Sequence, residues 1–391
     1  MSEPSKQLKT PSLHEAPLPS ALAELFRKAL REGVFSGASL LVASPEEILW
    51  EGVFGHVHRG GIEVSARTHF DLASLTKPLV TASLCMWAVS SGLFGMDDLL
   101  GRFFPPTALS PEKTTISVRQ LLNHCSGLPA YEPYYRELIS LPSPRRHERL
   151  LSKIFETPLL SAPGTECRYS DLGFFLLGTI LETALEKPLD RLASELVFQP
   201  LGIRELCFRP FEAPCDPAEA PRFPEETRSF AATEHCTWRN RLLQGEVHDE
   251  NAYSLGGVAP HAGLFGTARG VLQWLSFLWG IYRGSIEEKA WHREVVSGFW
   301  EKQRMVPAST WALGFDTPSL GRSSAGDCFS PRSIGHLGFT GTSFWMDLEQ
   351  DILVILLTNR VHPRRENDGI RLFRPALHNL VMEVCHGLSR S

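Results

Sequence analysis

The sequence lacks the signatures of several large protein classes. No stretch approaches the roughly 18 consecutive apolar residues of a transmembrane helix. The net charge is only −5, with both signs interspersed, so we expect neither a nucleic acid nor a membrane as partner. The Gly-x-Ser-x-Gly, Walker-loop and His-Glu-x-x-His patterns are absent. Their absence counts against an α/β-hydrolase, a P-loop nucleotide-binding protein and a zinc protease of that type.

Signals for disulfides and for export are also scarce. The eight cysteines are scattered and never form Cys-x-x-Cys, which is typical of free packing thiols in a reducing compartment. Residues 1–17 are polar and interrupted by proline, without the apolar core of a signal peptide. We therefore expect a disordered lead at residues 1–17 and a cytoplasmic protein.

What is present is an ordinary globular composition with strand patterns near both chain ends. The 391 residues, 43% of them hydrophobic, suffice for one large or two modest domains. Apolar residues at helical spacing prevail from about 79 to 205. Short strand-like runs lie at 38–43, 48–54, 335–339, 343–347 and 352–358, and terminal helices are predicted at 18–33 and 370–385. The run 352–358 is nearly all apolar, as for a central strand buried on both faces.

These patterns predict an α+β fold. A central antiparallel sheet built from both chain ends would be flanked by helices, with an all-helical lobe inserted between its halves. Residues 18–78 and 255–391 would form an α/β sandwich domain, and 79–254 a mainly helical lobe. Prolines punctuate residues 208–232, so we predict an irregular excursion over 208–250.

The stretch Phe70–Pro78 holds a candidate nucleophile. Ser74 and Lys77 are three residues apart, so in a helix that begins at Ser74 the amine lies over the hydroxyl. Pro78 fits such a start, because proline is tolerated in the first helical turn. A dry pocket could deprotonate the amine, which would activate the serine. The alternative is an N-cap serine beside a solvated lysine.

The same Ser-x-x-Lys spacing occurs a second time, which shows how weak that signal is by itself. Ser110-Pro111-Glu112-Lys113 has no apolar helix behind it. We interpret this copy as a polar loop.

Two further segments could converge on Ser74. Tyr169 lies just before the apolar run 172–185, and an ammonium close to its phenol would lower its pKa and suit it to proton transfer. His336 lies on a probable edge strand between glycines, where it could orient the substrate or the tyrosine. The Phe339 and Ser74 N–H groups could form an oxyanion hole. Taken singly, Tyr169 could be a packing residue and His336 a solvated strand residue.

Together these motifs resemble those of the serine β-lactamase-like superfamily, which includes class C β-lactamases, DD-peptidases and esterases of the same fold. The resemblance rests on Ser74-x-x-Lys77, Tyr169-Ser170-Asp171 and His336-Leu337-Gly338 in this order and spacing. It extends over about residues 20–388 through supporting segments. Leu121–Pro129 is similar to the family's Leu-Leu-x-His-Thr-Ser-Gly-Leu-Pro, with Cys125 in place of threonine, and Pro200-Leu201-Gly202 and His261–Phe265 also have counterparts.

The resemblance implies a role for each site residue. Ser74 would be the acylated nucleophile, and Lys77 would deprotonate it or tune its neighbours. Tyr169 would pass a proton to the leaving group. The backbone amides of Ser74 and Phe339 would hold the oxyanion, with Gly338 and Asp171 at the substrate-binding wall. No cofactor and no metal are implied.

Two positions depart from the family pattern. Asp171 stands where asparagine is usual, and its carboxylate would pin the Lys77 ammonium and make Lys77 a weaker base. His336 stands where β-lactamases and many DD-peptidases have lysine, and a neutral histidine binds an anion less well. The polar segment Val247–Tyr253 is expected at the rim of the cleft. Its His248, Asp249 and Glu250 leave a metal site open as a minor alternative.

The sequence therefore predicts a serine hydrolase that cleaves a small ester, amide or β-lactam through an acyl-enzyme on Ser74. The alternatives are a DD-carboxypeptidase or weak β-lactamase, and a catalytically silent binding protein of the same fold. The lack of an export signal counts against the first alternative, because peptidoglycan lies outside the cytosol. The sequence leaves the oligomeric state open.

Overall fold

The computed structural model describes residues 12–13, 17–105, 107–221 and 229–388. Most of the predicted disordered lead, 1–17, lies outside these residues. Within it, Ser12–Leu13 form a short strand that pairs in parallel with Glu47 and Ile48, so this part of the lead is ordered.

The described residues form an α+β structure, as predicted. The strands are β1 Ser12–Leu13, β2 Gly37–Ala43, β3 Glu47–Gly55, β4 Phe70–Asp71, β5 Leu206–Phe208, β6 Ala232–Cys236, β7 Arg241–Gln244, β8 Leu264–Gly266, β9 Ile334–Leu337, β10 Ser343–Asp347 and β11 Ile352–Thr358. The α-helices are α1 Ser20–Arg31, α2 Ser83–Ser90, α3 Leu100–Phe103, α4 Pro111–Thr114, α5 Val118–Leu122, α6 Tyr135–Leu138, α7 Ser143–Glu156, α8 Asp171–Leu185, α9 Leu189–Ala193, α10 Glu250–Ser254, α11 Ala268–Arg283, α12 Arg293–Trp300 and α13 Ile370–Leu388.

The largest sheet is built from both chain ends, in the order β1-β3-β2-β11-β10-β9. All neighbours are antiparallel except β1 and β3. Every residue of β11 is buried, which explains its unbroken apolar run. Side chains alternate between the two faces of a strand, so β2 and β11 contribute to a core on each side. Helices α1 and α13 cover one face, and α2, α8 and α11 cover the other.

Helices prevail between β4 and β5, and the excursion that follows is more regular than expected. Residues Ala232–Cys236 and Arg241–Gln244 pair as an antiparallel hairpin inside 208–250. The prediction of an irregular segment is therefore wrong for these residues. The proline spacing that suggested it stops at Pro224, before the hairpin. The division into domains at residues 78 and 255 stays a prediction.

A small sheet, β4-β8-β5, positions the nucleophile segment. The Leu72 N–H donates to the Leu264 carbonyl at 2.9 Å. The hydroxyls of Thr340 and Thr342 donate to the carbonyls of Asp71 and Leu72 at 2.7 and 3.1 Å. These bonds fix the end of β4 against the turn between β9 and β10, so the edge of the large sheet lies beside Ser74.

No helix among the described residues combines the length and the apolar character needed to cross a bilayer.

Candidate active site

The nucleophile lies on a tight turn followed by a widened helix. Residues Ala73–Leu75 form a 3₁₀ turn, Lys77–Ala82 a π-helix, and α2 begins only at Ser83. Ala73 has a φ of +46°, and its N–H is held by the Asp71 carboxylate at 2.8 Å. The predicted α-helix beginning at Ser74 is thus a 3₁₀ and π segment. Pro78 has no N–H to bond four residues back, which favours this departure from α geometry.

Lys77 lies buried directly beneath the Ser74 hydroxyl. Its side chain is 0% exposed, and its Nζ is 3.2 Å from the Ser74 Oγ. The ammonium also pairs with the Asp171 Oδ1 at 2.7 Å and donates to the His261 carbonyl at 3.3 Å. The spacing of the Ser-x-x-Lys motif therefore brings hydroxyl and amine together, as predicted.

The expected deprotonation of Lys77 by a dry pocket does not occur. Burial alone would lower the pKa of Lys77, but the nearby Asp171 and Tyr169 outweigh burial and raise the pKa above its usual value. The buried amine is therefore an ammonium at rest. The carboxylate that replaces the family's asparagine holds it in this form, in line with the expectation for Asp171.

Tyr169 immediately precedes α8, whose first turn is capped by the Ser170 hydroxyl. The Tyr169 phenol lies close to Lys77 and Ser74, and the Lys77 Nζ is 4.7 Å from the centre of its ring. The expectation that a nearby ammonium lowers the pKa of Tyr169 below its usual value is wrong. Burial raises the pKa of Tyr169, and the opposing effect of Lys77 is too small to reverse the shift.

An aromatic cluster that sequence analysis largely missed supports Tyr169. The His124 Nδ1 accepts the Ser170 N–H at 3.1 Å, so this histidine satisfies the start of α8. The His124 ring lies 4.6 Å from that of Tyr169 and 4.4 Å from that of Trp311. The helix before His124 ends at Leu122, and His124 adopts a left-handed φ of +61°. No local motif marked Trp311.

His336 lies on the edge strand β9 and faces the same cleft. Burial, reinforced by the positive charge of Lys77, lowers the pKa of His336 to about 3, so the imidazole is neutral. Its Nδ1 is 2.9 Å from the Leu337 carbonyl oxygen. Its ring lies 6.1 Å from that of Tyr169 and 5.5 Å from that of Trp311.

The segment after β9 comes close to the nucleophile turn. A Cβ at Gly338 would lie 2.0 Å from the Thr342 hydroxyl oxygen and 2.7 Å from the Leu72 carbonyl, so only glycine fits. The Gly338 N–H donates to the Thr342 carbonyl at 2.7 Å. Phe339, 49% exposed, projects its ring beneath the Arg360 guanidinium at 4.5 Å.

Ser74, Tyr169, Asp171, His336, Gly338 and Phe339 all line one cleft of about 1120 Å³. Three segments that are distant in sequence thus converge there, with Lys77 buried at the base. The cleft is large enough for a small-molecule substrate.

The polar segment at 248–250 lies at this cleft, as expected, but its side chains are engaged with other partners. Asp249 pairs with the His261 Nε2 at 3.0 Å, and Glu250 pairs with Arg365 at 2.7 Å. The His248 Nε2 lies 3.4 Å from a Glu234 oxygen. Within the part of the chain that the structure describes, no group of histidine, cysteine and carboxylate side chains has the arrangement of a metal site.

Arginines cluster on the wall formed by the start of α13 and the loop before it. Arg360, Arg371 and Arg374 line the cleft beside Phe339. Burial, and then the neighbouring Arg360, lowers the pKa of Arg374 to about 9. Burial and Arg371 likewise lower the pKa of Arg360. Each of these two shifts includes repulsion from a neighbouring arginine, so positive charge is concentrated on this wall.

Comparison with known proteins agrees with this geometry. The family model described as Beta-lactamase matches residues 22–376. The chain belongs to the beta-lactamase family. A relative from Escherichia coli, named "Putative D-alanyl-D-alanine carboxypeptidase", is 29% identical over 354 residues, which cover 84% of this chain and 79% of the relative. A similarly named protein of Salmonella typhimurium is 29% identical over 355 residues.

Two solved structures share the fold of this chain. "EstCE1, a hydrolase with promiscuous acyltransferase activity" superposes with a TM-score of 0.67 at 21% identity, covering 92% of this chain and 98% of that one. An "octameric penicillin-binding protein homologue from Pyrococcus abyssi" superposes with a TM-score of 0.68 at 19% identity, covering 93% of this chain and 77% of that one. With the family established, the chain is a serine hydrolase of the β-lactamase fold, as the sequence predicted.

Proposed function

We propose that this family member hydrolyses a small ester or amide through an acyl-enzyme on Ser74. The observation that supports this most directly is the position of the Ser74 Oγ, 3.2 Å from the buried Lys77 Nζ at the base of the cleft. The Tyr169 phenol, which lies close to both, supplies a second proton-transfer group. A nucleophile with two such partners fits acyl transfer.

The reaction would proceed in two halves. Once the Lys77–Tyr169 pair has lost a proton, it accepts the Ser74 hydroxyl proton as the oxygen attacks the substrate carbonyl. The N–H groups of Ser74 and Phe339 would hold the oxyanion. Collapse breaks the bond to the leaving group, which takes the proton from Tyr169. Water then attacks the acyl-enzyme and gives a proton to the same pair. Collapse breaks the bond between the acyl carbon and the Ser74 oxygen, which takes that proton back, and the acid is released.

Asp171 sets the pH at which this cycle can begin. Its carboxylate raises the pKa of both Lys77 and Tyr169, so each group keeps its proton at rest. We expect activity to increase with pH, as the pair loses its first proton.

The arginine wall favours a second candidate, a carboxypeptidase acting on peptides that end in a free carboxylate. Neutral His336 offers no charge to such a group, but Arg360, Arg371 and Arg374 beside Phe339 do. Arginine suits this role because its planar fork can bind a carboxylate through two hydrogen bonds. The names of the Escherichia coli and Salmonella relatives are consistent with this candidate.

Intact-mass spectrometry after incubation with p-nitrophenyl esters, penicillins and D-Ala-D-Ala peptides tests both candidates. We expect a covalent adduct on Ser74 and its loss in Ser74→Ala. Full ester hydrolysis by Ser74→Ala would refute the proposal. A protein that reacts with no ester, no β-lactam and no fluorophosphonate would instead be a silent binding protein.

The substrate class can be resolved with a matched pair of surface arginines. Arg371→Gln should raise the KM for a carboxylate-terminated peptide while leaving a neutral ester unaffected. Arg269→Gln is the control, because Arg269 is exposed and pairs with Glu51 outside the cleft. Equal effects of the two substitutions on the peptide would contradict the carboxypeptidase candidate. The cytoplasmic location stays a prediction, which cell fractionation would test.

A further inference from the structure

Two cysteines meet behind the aromatic cluster that supports Tyr169. Cys125 directly follows His124, and Cys167 lies two residues before Tyr169. Their sulfur atoms lie 3.4 and 3.7 Å from the same carbonyl oxygen, that of Asn123. Both thiols therefore lie against one carbonyl group, and each influences the pKa of the other. The chain leaves both as free cysteines.

The backbone holds the two cysteine segments side by side. The Arg168 N–H donates to the His124 carbonyl at 2.8 Å, and the Gly164 N–H donates to the Cys125 carbonyl at 2.7 Å. These bonds keep the two cysteine segments adjacent, which is the condition for a disulfide to join them. Cys125 also stands where the related motif has threonine, so the pair is a departure from that pattern.

The two thiols differ in the way that a reactive pair requires. The neighbouring Cys125 thiol, and then the hydrogen bond from the Ser309 hydroxyl, lower the pKa of Cys167, although burial opposes this. Cys167 is partly exposed, whereas Cys125 is buried and its pKa is raised. Cys167 therefore suits the attacking role, and Cys125 suits the resolving role.

We propose that Cys125 and Cys167 form a reversible disulfide under peroxide, and that this modification lowers hydrolase activity. The Cys167 thiolate attacks a peroxide oxygen, which breaks the O–O bond and leaves a sulfenic acid. The Cys125 sulfur then displaces that oxygen as water, and its proton leaves with it. Two thiols are oxidised and one peroxide is reduced. A dithiol reductant restores both thiols.

The disulfide would act on catalysis through Tyr169. The Ser309 hydroxyl, which donates to the Cys167 sulfur at 3.2 Å, accepts the backbone N–H of Trp311 at 3.1 Å. Trp311 packs against Tyr169 and His336, at 5.4 and 5.5 Å between ring centres. Drawing Cys167 toward Cys125 removes the Ser309 bond and shifts the segment that ends at Tyr169. Displacement of a catalytic group by about 1 Å can reduce a rate by ~10²-fold.

The test uses the full-length protein, treated with hydrogen peroxide and then with dithiothreitol. Peptide mass mapping should find a Cys125–Cys167 linkage, and kcat for a p-nitrophenyl ester should fall by ~10-fold or more and recover on reduction. The activity of Cys167→Ser after peroxide treatment should equal the activity of the same variant before treatment. Cys328→Ser, a partly exposed cysteine elsewhere, is the control and should respond like the unmodified protein.

The outcomes separate this inference from the proposed function, on which its catalytic part rests. Absence of the linkage overturns the inference, whatever the role of Ser74. A linkage that forms without any change in kcat also overturns it. If no ester is hydrolysed at all, the mapping still decides whether the disulfide forms. Fluorophosphonate labelling of Ser74 before and after oxidation then replaces the rate as readout.

Discussion

Replacing Asp171 by asparagine tests the central electrostatic feature of the site. Asp171 is the carboxylate that pairs with buried Lys77 at 2.7 Å, at a position where the family pattern has asparagine. The Asp171→Asn change keeps the shape of the side chain but removes its charge. Because Asp171 raises the pKa of both Lys77 and Tyr169, its removal lowers both. The rise of kcat/KM with pH should therefore move to lower pH.

The size of the effect follows from the distance. At an effective dielectric constant of about 20, opposite unit charges 2.7 Å apart attract by about 6 kcal/mol. An asparagine oxygen would still accept a hydrogen bond from the ammonium, and such bonds to a charged donor contribute about 1.5–3 kcal/mol. Suppose that losing Asp171 makes deprotonation of the Lys77–Tyr169 pair easier by about 2 kcal/mol. At pH values below the rise of the profile, kcat/KM then increases about 30-fold.

The assay is a pH–rate profile for p-nitrophenyl ester hydrolysis by both proteins. Chemical denaturation in the same buffers checks folding, since a buried lysine that loses its partner costs about 3–5 kcal/mol while it stays charged. Asp97→Asn is the control, because Asp97 pairs with Arg119 at an exposed position outside the cleft. A profile that stays in place, or moves to higher pH, would refute the assigned role of Asp171.

Three further predictions address the tyrosine, the second Ser-x-x-Lys copy and acid stability. Tyr169→Phe should lower kcat by about 10²–10⁴-fold with little change in thermal stability, and near-normal turnover would exclude Tyr169 as a proton carrier. Lys113→Met should lower the free energy of unfolding by about 3 kcal/mol without changing ester kinetics, because the buried Lys113 amine donates to three carbonyls at 3.1, 2.5 and 2.6 Å. Slower ester turnover would argue against this purely structural role. Burial opposes ionisation of Glu234, yet bonds with Arg365 and His248 lower its pKa to about 2. The contribution of Glu234 to stability is complete above the usual carboxyl pKa and is lost as pH falls toward 2. In Glu234→Gln the free energy of unfolding should therefore depend less on pH in that range. An unchanged acid transition would contradict this.

Local sequence patterns predicted those features that depend on neighbours along the chain. The apolar run at 352–358 is the central strand because a strand buried on both faces needs no polar side chain. The spacing of Ser74 and Lys77 was sufficient to place hydroxyl and amine together. The hairpin at 232–244 was missed because its alternation is short and polar. The copy at Ser110 was interpreted as a loop, whereas Pro111–Thr114 form a helical turn with Lys113 buried.

The protonation states could not be predicted locally, because each depends on a balance between burial and distant charges. Lys77 is both fully buried and paired with Asp171, and the two effects oppose each other. For Tyr169, burial and Asp171 both raise the pKa while Lys77 opposes them, and burial dominates. The sequence identifies the participants, but which effect dominates depends on how closely the fold brings them together.

The two departures from the family pattern compensate for each other in charge. A lysine in both the first and the third motif, with asparagine in the second, gives a centre of charge +2. Here the Lys77 ammonium is balanced by Asp171, and His336 is neutral, so the centre itself carries no net charge. Attraction of an anionic substrate then has to come from the arginines beside Phe339. Such attraction is screened by salt when it acts from an open cleft. Raising the ionic strength should therefore increase the KM of a carboxylate substrate but not that of a neutral ester. If both KM values depend equally on salt, the substrate carboxylate does not bind to these arginines.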